Sequence, residues 1–233
     1  MRPQWNLKEI RQMYGLSQSD IAEAIGVKSR STIVAIESGD RDLTSVELAK
    51  LADYLGVELI DLIAFEIPDY DKYREMLVEA LRRYTRLTKH GAPKTLLAKL
   101  IYFADFAWFY ENLKPMSGMK YRRDPYGPVP DQFFRIVDSM VENGEIQLEM
   151  KTFDGRANKS QSLSLSDSVV DEPNQYLTAK EIALIDKIVL KWKNSNVDKI
   201  VDFTHNQLPW QVTRPNEFIP YELITQEEPN NVY

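Results

Sequence analysis

The sequence predicts a mainly α protein of two domains. The first is a compact unit of five short helices; the second is a larger, mostly helical α+β domain with one small antiparallel β-hairpin. Three observations carry this expectation. Apolar residues recur at three- and four-residue spacing through the first 65 positions and again from Tyr73 onward. Pro68-Asp69-Tyr70-Asp71 interrupts that pattern. Only Glu145–Thr152 and Ser160–Leu165 alternate apolar with polar, with Asp154-Gly155 between them to turn the chain. At 233 residues the chain exceeds one ordinary small domain.

In the first unit, Asn6 precedes a helix over Leu7–Tyr14 that Gly15 ends. Ser17-Gln18-Ser19-Asp20 is a capping pattern leading into Ile21, Ala22 and Ile25, and Gly26 supplies the turn. A third helix runs over Ser29–Ser38. Thr44-Ser45-Val46-Glu47 is a capping box that opens a fourth, and Leu59–Phe65 closes the unit. Residues 68–89 read as a linker followed by a basic amphipathic helix that His90-Gly91 ends. That helix serves as a dimer surface, a second nucleic-acid contact or an inter-domain brace. Lys94–Tyr110 is apolar nearly all round, as a central buried helix is. Asp124 to Pro130 is rigid and extended, with Pro130 placed to start a helix over Asp131–Asn143. Thr178-Ala179-Lys180-Glu181 caps a helix to about Lys193, and another follows over Val197–His205. Phe218–Ile224 is extended, and residues 227–233 form a frayed acidic tail.

Charge and composition narrow the function. The chain carries −6 overall, divided as −4 over residues 1–68, +5 over 69–135 and −7 over 136–233. Any nucleic-acid contact must therefore come from a local patch. There is no cysteine, which excludes thiolate metal sites and fits a reducing, cytoplasmic setting. No apolar run approaches the roughly 20 residues that span a bilayer. No phosphate loop, Gly-x-Ser-x-Gly or His-Glu-x-x-His occurs, and the two histidines, His90 and His205, sit near helix ends where structural roles outweigh catalytic ones. The expectation is a non-enzyme without metal or cofactor.

The segment Gln18–Ile25, the turn at Gly26-Val27 and the helix from Ser29 have helix-turn-helix geometry, which places a second helix in the major groove. Arg30 suits guanine, while Ser29, Ser31 and Thr32 reach bases or phosphates. Gln18, with the free N–H groups beginning its helix, suits a phosphate, and Lys28 adds charge. Further on, Tyr121 and Tyr126 beside Lys120, Arg122 and Arg123 make an aromatic-and-arginine group of the kind favoured at protein interfaces. The alternative, that these aromatics are core or scattered surface, stays open.

Two resemblances sharpen these readings. Leu16-Ser17-Gln18, Ile21-Ala22, Ile25-Gly26-Val27 and Ser31 to Gly39 resemble the Xre/Cro repressors, which implies a lambda-repressor-like fold over residues 1–67 that binds an operator. The interval from Gly26 to Ile33 is one residue longer than is usual there, with Lys28 the extra residue. The charge of −4 over residues 1–68 predicts weak binding by a monomer, so the expectation is a homodimer on a palindromic site with half-sites about one helical turn apart. Lys99 to Asp105, Tyr126 to Pro130, Leu177 to Asp186, Phe203-Thr204-His205, Pro209-Trp210 and Ile219 to Ile224 resemble the Panacea (SocA-like, phage-associated antitoxin) domain, over residues 90–226. That resemblance implies an antitoxin that neutralises a neighbour-encoded toxin by direct binding while the N-terminal domain represses the shared operon. A ligand-responsive repressor and a protease adaptor are the alternatives.

Overall fold

The computed structural model describes residues 7–57, 59, 62, 68–152 and 159–233. The chain divides into two compact units, Met1–Pro68 and Asp69–Tyr233.

The first unit contains helices α1 (Leu7–Met13), α2 (Gln18–Ile25), α3 (Arg30–Glu37) and α4 (Ser45–Leu55). Both anticipated capping boxes form. The Ser17 hydroxyl accepts from the Asp20 N–H while the Ser17 N–H donates to the Asp20 carboxylate at 2.6 Å. Thr44 and Glu47 do the same for α4. Gly26 and Gly56 end α2 and α4 in the left-handed region. Leu7, Ile10, Ile21, Ile25, Ile33, Ile36, Leu51 and Leu62 form the core. The fifth helix expected over Leu59–Phe65 lies, apart from Leu59 and Leu62, outside the described residues, as does Asn6.

In the second unit α5 (Tyr70–Thr88) leads through β1 (Ala92–Pro93) into α6 (Lys94–Asn112). Then come β2 (Tyr121–Arg122), β3 (Val129–Pro130), α7 (Phe133–Glu142), β4 (Ile146–Thr152), β5 (Lys159–Leu165) and α8 (Asp167–Val170). Helices α9 (Ala179–Trp192), α10 (Val197–Asn206) and α11 (Leu208–Val212) follow, and two 3-10 turns, Tyr221–Gln226 and Pro229–Asn231, close the unit. Helix α6 is the axis, buried on nearly every face, and its rings set the packing. Phe106 stacks on Tyr221 at 4.4 Å, and Phe103 meets Trp192 at 5.5 Å. The expected hairpin is β4 against β5, extended by β1 into a three-stranded antiparallel sheet of order β1-β5-β4. Its Asp154-Gly155 turn lies outside the described residues.

Several expectations are corrected. The supposed linker helix belongs to the second core: Tyr73, Met76, Leu77, Ala80 and Leu81 are fully buried, and Asp69 caps the helix by accepting from the Lys72 N–H. Arg82, one of the basic residues of this helix, turns to its own unit and donates to the carbonyls of Val169, Val170 and Glu172. Helix α5 ends at Lys89 in the left-handed conformation; Gly91 serves close approach instead, since a Cβ there would lie 2.7 Å from the Leu163 carbonyl oxygen. Pro130 ends up in β3, so α7 starts at Phe133. Phe218 makes a bridge to Arg122, but Tyr221 onward winds into a 3-10 turn. Nor is the tail frayed. Val232 is buried, and the Gln207 amide donates to the carbonyls of Asn231 and Val232.

Candidate nucleic-acid interface and partner-facing surface

The leading edge of α3 is open within its unit. Ser29 caps the helix, its hydroxyl accepting from the Ser31 N–H at 3.2 Å and lying 2.6 Å from the Ser31 hydroxyl. Lys28, Ser29, Arg30 and Ser31 are exposed, Gln18 and Thr32 half-buried. The structure joins Arg30 to Gln18 and Ser29 to Ser31, and it leaves Lys28 exposed just before the cap and Thr32 half-buried in the first turn. Lys28 is absorbed as an exposed bend before the cap, so Ile33 and Ile36 still reach the core.

A relay of side chains braces this edge. Arg30 Nε donates to Gln18 Oε1 (2.8 Å), and Gln18 Nε2 donates to Glu37 Oε2 (2.7 Å). Arg11 Nε donates to Glu37 Oε1 (2.7 Å), and Arg11 also holds the Leu16 carbonyl. Partial burial pushes the Glu37 carboxyl upward, but hydrogen bonds from Arg11 and Gln18 more than offset it and keep the group ionised below its ordinary range. The relay leaves the two terminal nitrogens of Arg30 without a partner among the described residues, in the fork that reads guanine bidentately. Sequence reasoning missed Val34, 48% exposed one turn beyond Arg30 and suited to a thymine methyl. The i, i+3 burial of Ile33 and Ile36 was the available signal, because it leaves Val34 facing outward.

In the second unit β2 and β3 pair Tyr121 with Pro130 and Arg122 with Val129, and residues 216–219 run alongside β2. Arg122 grips the Asp131 carboxylate in a fork, Nε to Oδ1 at 2.8 Å and the second contact at 2.5 Å. Its guanidinium carbon lies 4.3 Å from the Phe218 ring centre, and Lys120 approaches the same ring. Hydrogen bonding to Arg122 holds the Asp131 carboxyl below its ordinary range. Arg123 lies 4.0 Å over Trp210, which stacks on His205 at 4.0 Å, while its guanidinium donates to the Thr213 carbonyl. Tyr126, at the tip of the connecting turn, is 74% exposed. Lys120, Arg122, Arg123 and Tyr126 thus occupy this β2–turn–β3 ledge. Tyr121 does not belong with them: it is fully buried, its hydroxyl donating to Asp105. A two-residue strand must turn one side chain inward, and here Tyr121 points in beside Arg122 pointing out.

Two buried ionisable groups lie behind the ledge. Burial raises the Asp105 carboxyl despite donors from the Ser117 N–H and hydroxyl and from Tyr121. Lys99 donates to the Pro128 carbonyl at 2.7 Å, and burial lowers its ammonium to about 7. The turn is closed by Gly127 N–H donating to the Asp124 carbonyl at 2.8 Å, with Pro125 second and Gly127 fourth, as type I turns prefer.

A short helix pair with an open second helix has the form of a helix-turn-helix, here in a chain whose second unit is a mainly helical domain built around α6. Comparison with known proteins agrees. Residues 7–62 match the helix-turn-helix family model, and residues 97–211 match the model for the antitoxin SocA-like, Panacea domain. An uncharacterised HTH-type transcriptional regulator of Methanocaldococcus jannaschii is 44% identical over 61 residues, which is 26% of this chain and 89% of that protein. The chain belongs to the proteins in which an Xre-type helix-turn-helix domain is fused to a Panacea domain. Its class is that of DNA-binding antitoxins and regulators. Among the described residues no helix is long and apolar enough to cross a membrane.

Proposed function

We propose that this protein is the antitoxin of a two-gene toxin–antitoxin system in the cytoplasm, neutralising its neighbour-encoded toxin by binding rather than by catalysis, and repressing their operon. The repression half is carried by the open edge of α3, where Arg30 is held by Gln18 yet keeps its outer nitrogens for a base. Gln18, Lys28, Ser29, Ser31 and Thr32 position the helix on phosphates and neighbouring bases. Two copies read a palindromic operator with half-sites about one helical turn apart. The antitoxin half is supported by the family match over residues 97–211.

On this reading the ledge carrying Lys120, Arg122, Arg123 and Tyr126 meets the toxin. Its arginines are pre-ordered on rings and carbonyls, so little side-chain entropy is lost on docking. Neutralisation is occlusion of the toxin's working surface. Co-expression decides the matter: the adjacent gene alone should arrest growth, and this gene should restore it. A neighbour that is harmless alone, or still lethal beside this gene, removes the antitoxin reading.

A further inference from the structure

Among the described residues β4 is the last strand of its sheet, paired with β5 on one side only. The phase of that pairing is set at its start, where the Ser166 N–H donates to the Glu145 carbonyl. With Ile146 opposite Leu165 and each later pair in step, hydrogen-bonded and non-hydrogen-bonded pairs alternate along the ladder. Gln147 and Glu149 therefore direct their backbone groups at β5. Ile146, Leu148 and Met150 direct theirs away from it. Among the described residues no backbone group outside the sheet pairs with the N–H or C=O of these three. The same three side chains share one face, passing from buried Ile146 through half-buried Leu148 to Met150, which is 54% exposed. An edge of this length without proline, and with an apolar row at its open positions, is a template for another strand.

We infer that this edge pairs with the same edge of a second copy of the chain, antiparallel about a two-fold axis at Leu148. The register follows from phase and charge together. Outward backbone groups belong to the even-numbered residues, so even must face even; an axis at Glu149 meets that condition but sets two like charges directly opposite each other, which is destabilising. With the axis at Leu148, Leu148 faces itself, Ile146 faces Met150 of the second copy, and Gln147 faces Glu149 of the second copy. No like charges are opposed, and the apolar rows of both copies run on as one. A self-complementary edge makes a closed pair, whereas nothing along β4 favours an unrelated strand. The inference rests on the proposed reading in one respect, that the DNA-reading domain acts as a pair, and it supplies the surface that makes the pair.

Sedimentation of the full chain tests it. Wild type should run at twice the 27.1 kDa chain mass. Met150→Pro removes an outward N–H and no bond to β5, so the folded variant should associate about tenfold or more weakly. Met150→Lys, which keeps every backbone group and places a charge on the edge, should do the same if the proline variant fails to fold. The chain has no cysteine, so Leu148→Cys introduces a lone thiol opposite its own copy. Mild oxidation should link it into a covalent dimer, while Gln161→Cys on β5 should remain unlinked. A dimer that survives the Met150 variants and gives no Leu148→Cys link overturns the edge while leaving a paired repressor standing. A monomeric wild type overturns both. A monomer whose complex with the neighbour-encoded protein is lost in Met150→Lys assigns the edge to the toxin and overturns self-pairing.

Discussion

Lys99 shows what one residue can impose on the second unit. Its amine is buried against Pro128, and the ordinary lysine value of 10.5 falls to about 7 because the ammonium is costly to desolvate. Between those values the unfolded chain binds a proton that the folded chain does not. The penalty is full below about pH 7 and fades as pH rises, so this residue makes stability increase with pH across the window. The slope approaches 1.4 kcal/mol per pH unit at most. Lys99→Met keeps the volume and removes the proton. In urea unfolding at several pH values from 6 to 9.5, the wild-type stability should climb relative to the variant; parallel profiles would mean that Lys99 titrates as an ordinary lysine. Lys191 is also lowered by burial, but it is common to both proteins and cancels in the difference.

Among the elements, the turn between β2 and β3 carries the sharpest constraint. Gly127 has φ +89°, and a Cβ there would lie 2.6 Å from Thr204 Oγ1 and 2.8 Å from Lys99 Cε. Gly127→Ala meets a left-handed penalty of about 1–2 kcal/mol and must also displace α6 or α10 side chains. The variant should lose about 2 kcal/mol or more in the second unit's unfolding while operator binding by the first unit persists. Equal stability by urea titration would show that the turn shifts freely. This turn was legible in the sequence, since its prolines and glycine announce a rigid close approach. The three capping boxes were legible for the same reason: cap and acceptor lie three residues apart. What escaped depended on distant partners. The apolar face of Tyr70–Thr88 was visible, but its place in the second core depends on Arg82 reaching residues near 170 and on Lys72 meeting Glu181 at 2.5 Å. Tyr121 escaped because two residues of strand are too few for alternation to reveal which side faces in. At the DNA edge the contact set could be listed from the motif, but the relay from Arg30 through Gln18 and Glu37 to Arg11 links helices that sequence spacing does not relate.

Taken as a whole molecule, the protein binds DNA through an acidic domain, −4 over residues 1–68, within a chain of −6. Bulk attraction to the duplex is therefore weak, and affinity must come from a few placed contacts and from two copies acting together. Salt dependence separates these sources. Each phosphate neutralised adds about 0.9 to the slope of log affinity against log salt, whereas a contact to a base edge adds none. On the proposed function Arg30, held sideways by Gln18, is a base contact. In fluorescence anisotropy titrations across a salt series, Arg30→Ala should weaken operator binding by about 1–3 kcal/mol per half-site, leave random duplex binding nearly unchanged, and keep the slope. A uniform loss on both duplexes, with the slope falling by about one unit for each half-site, would instead make Arg30 a phosphate contact. Sequence reading would then pass to Ser31, Thr32 and the exposed Val34.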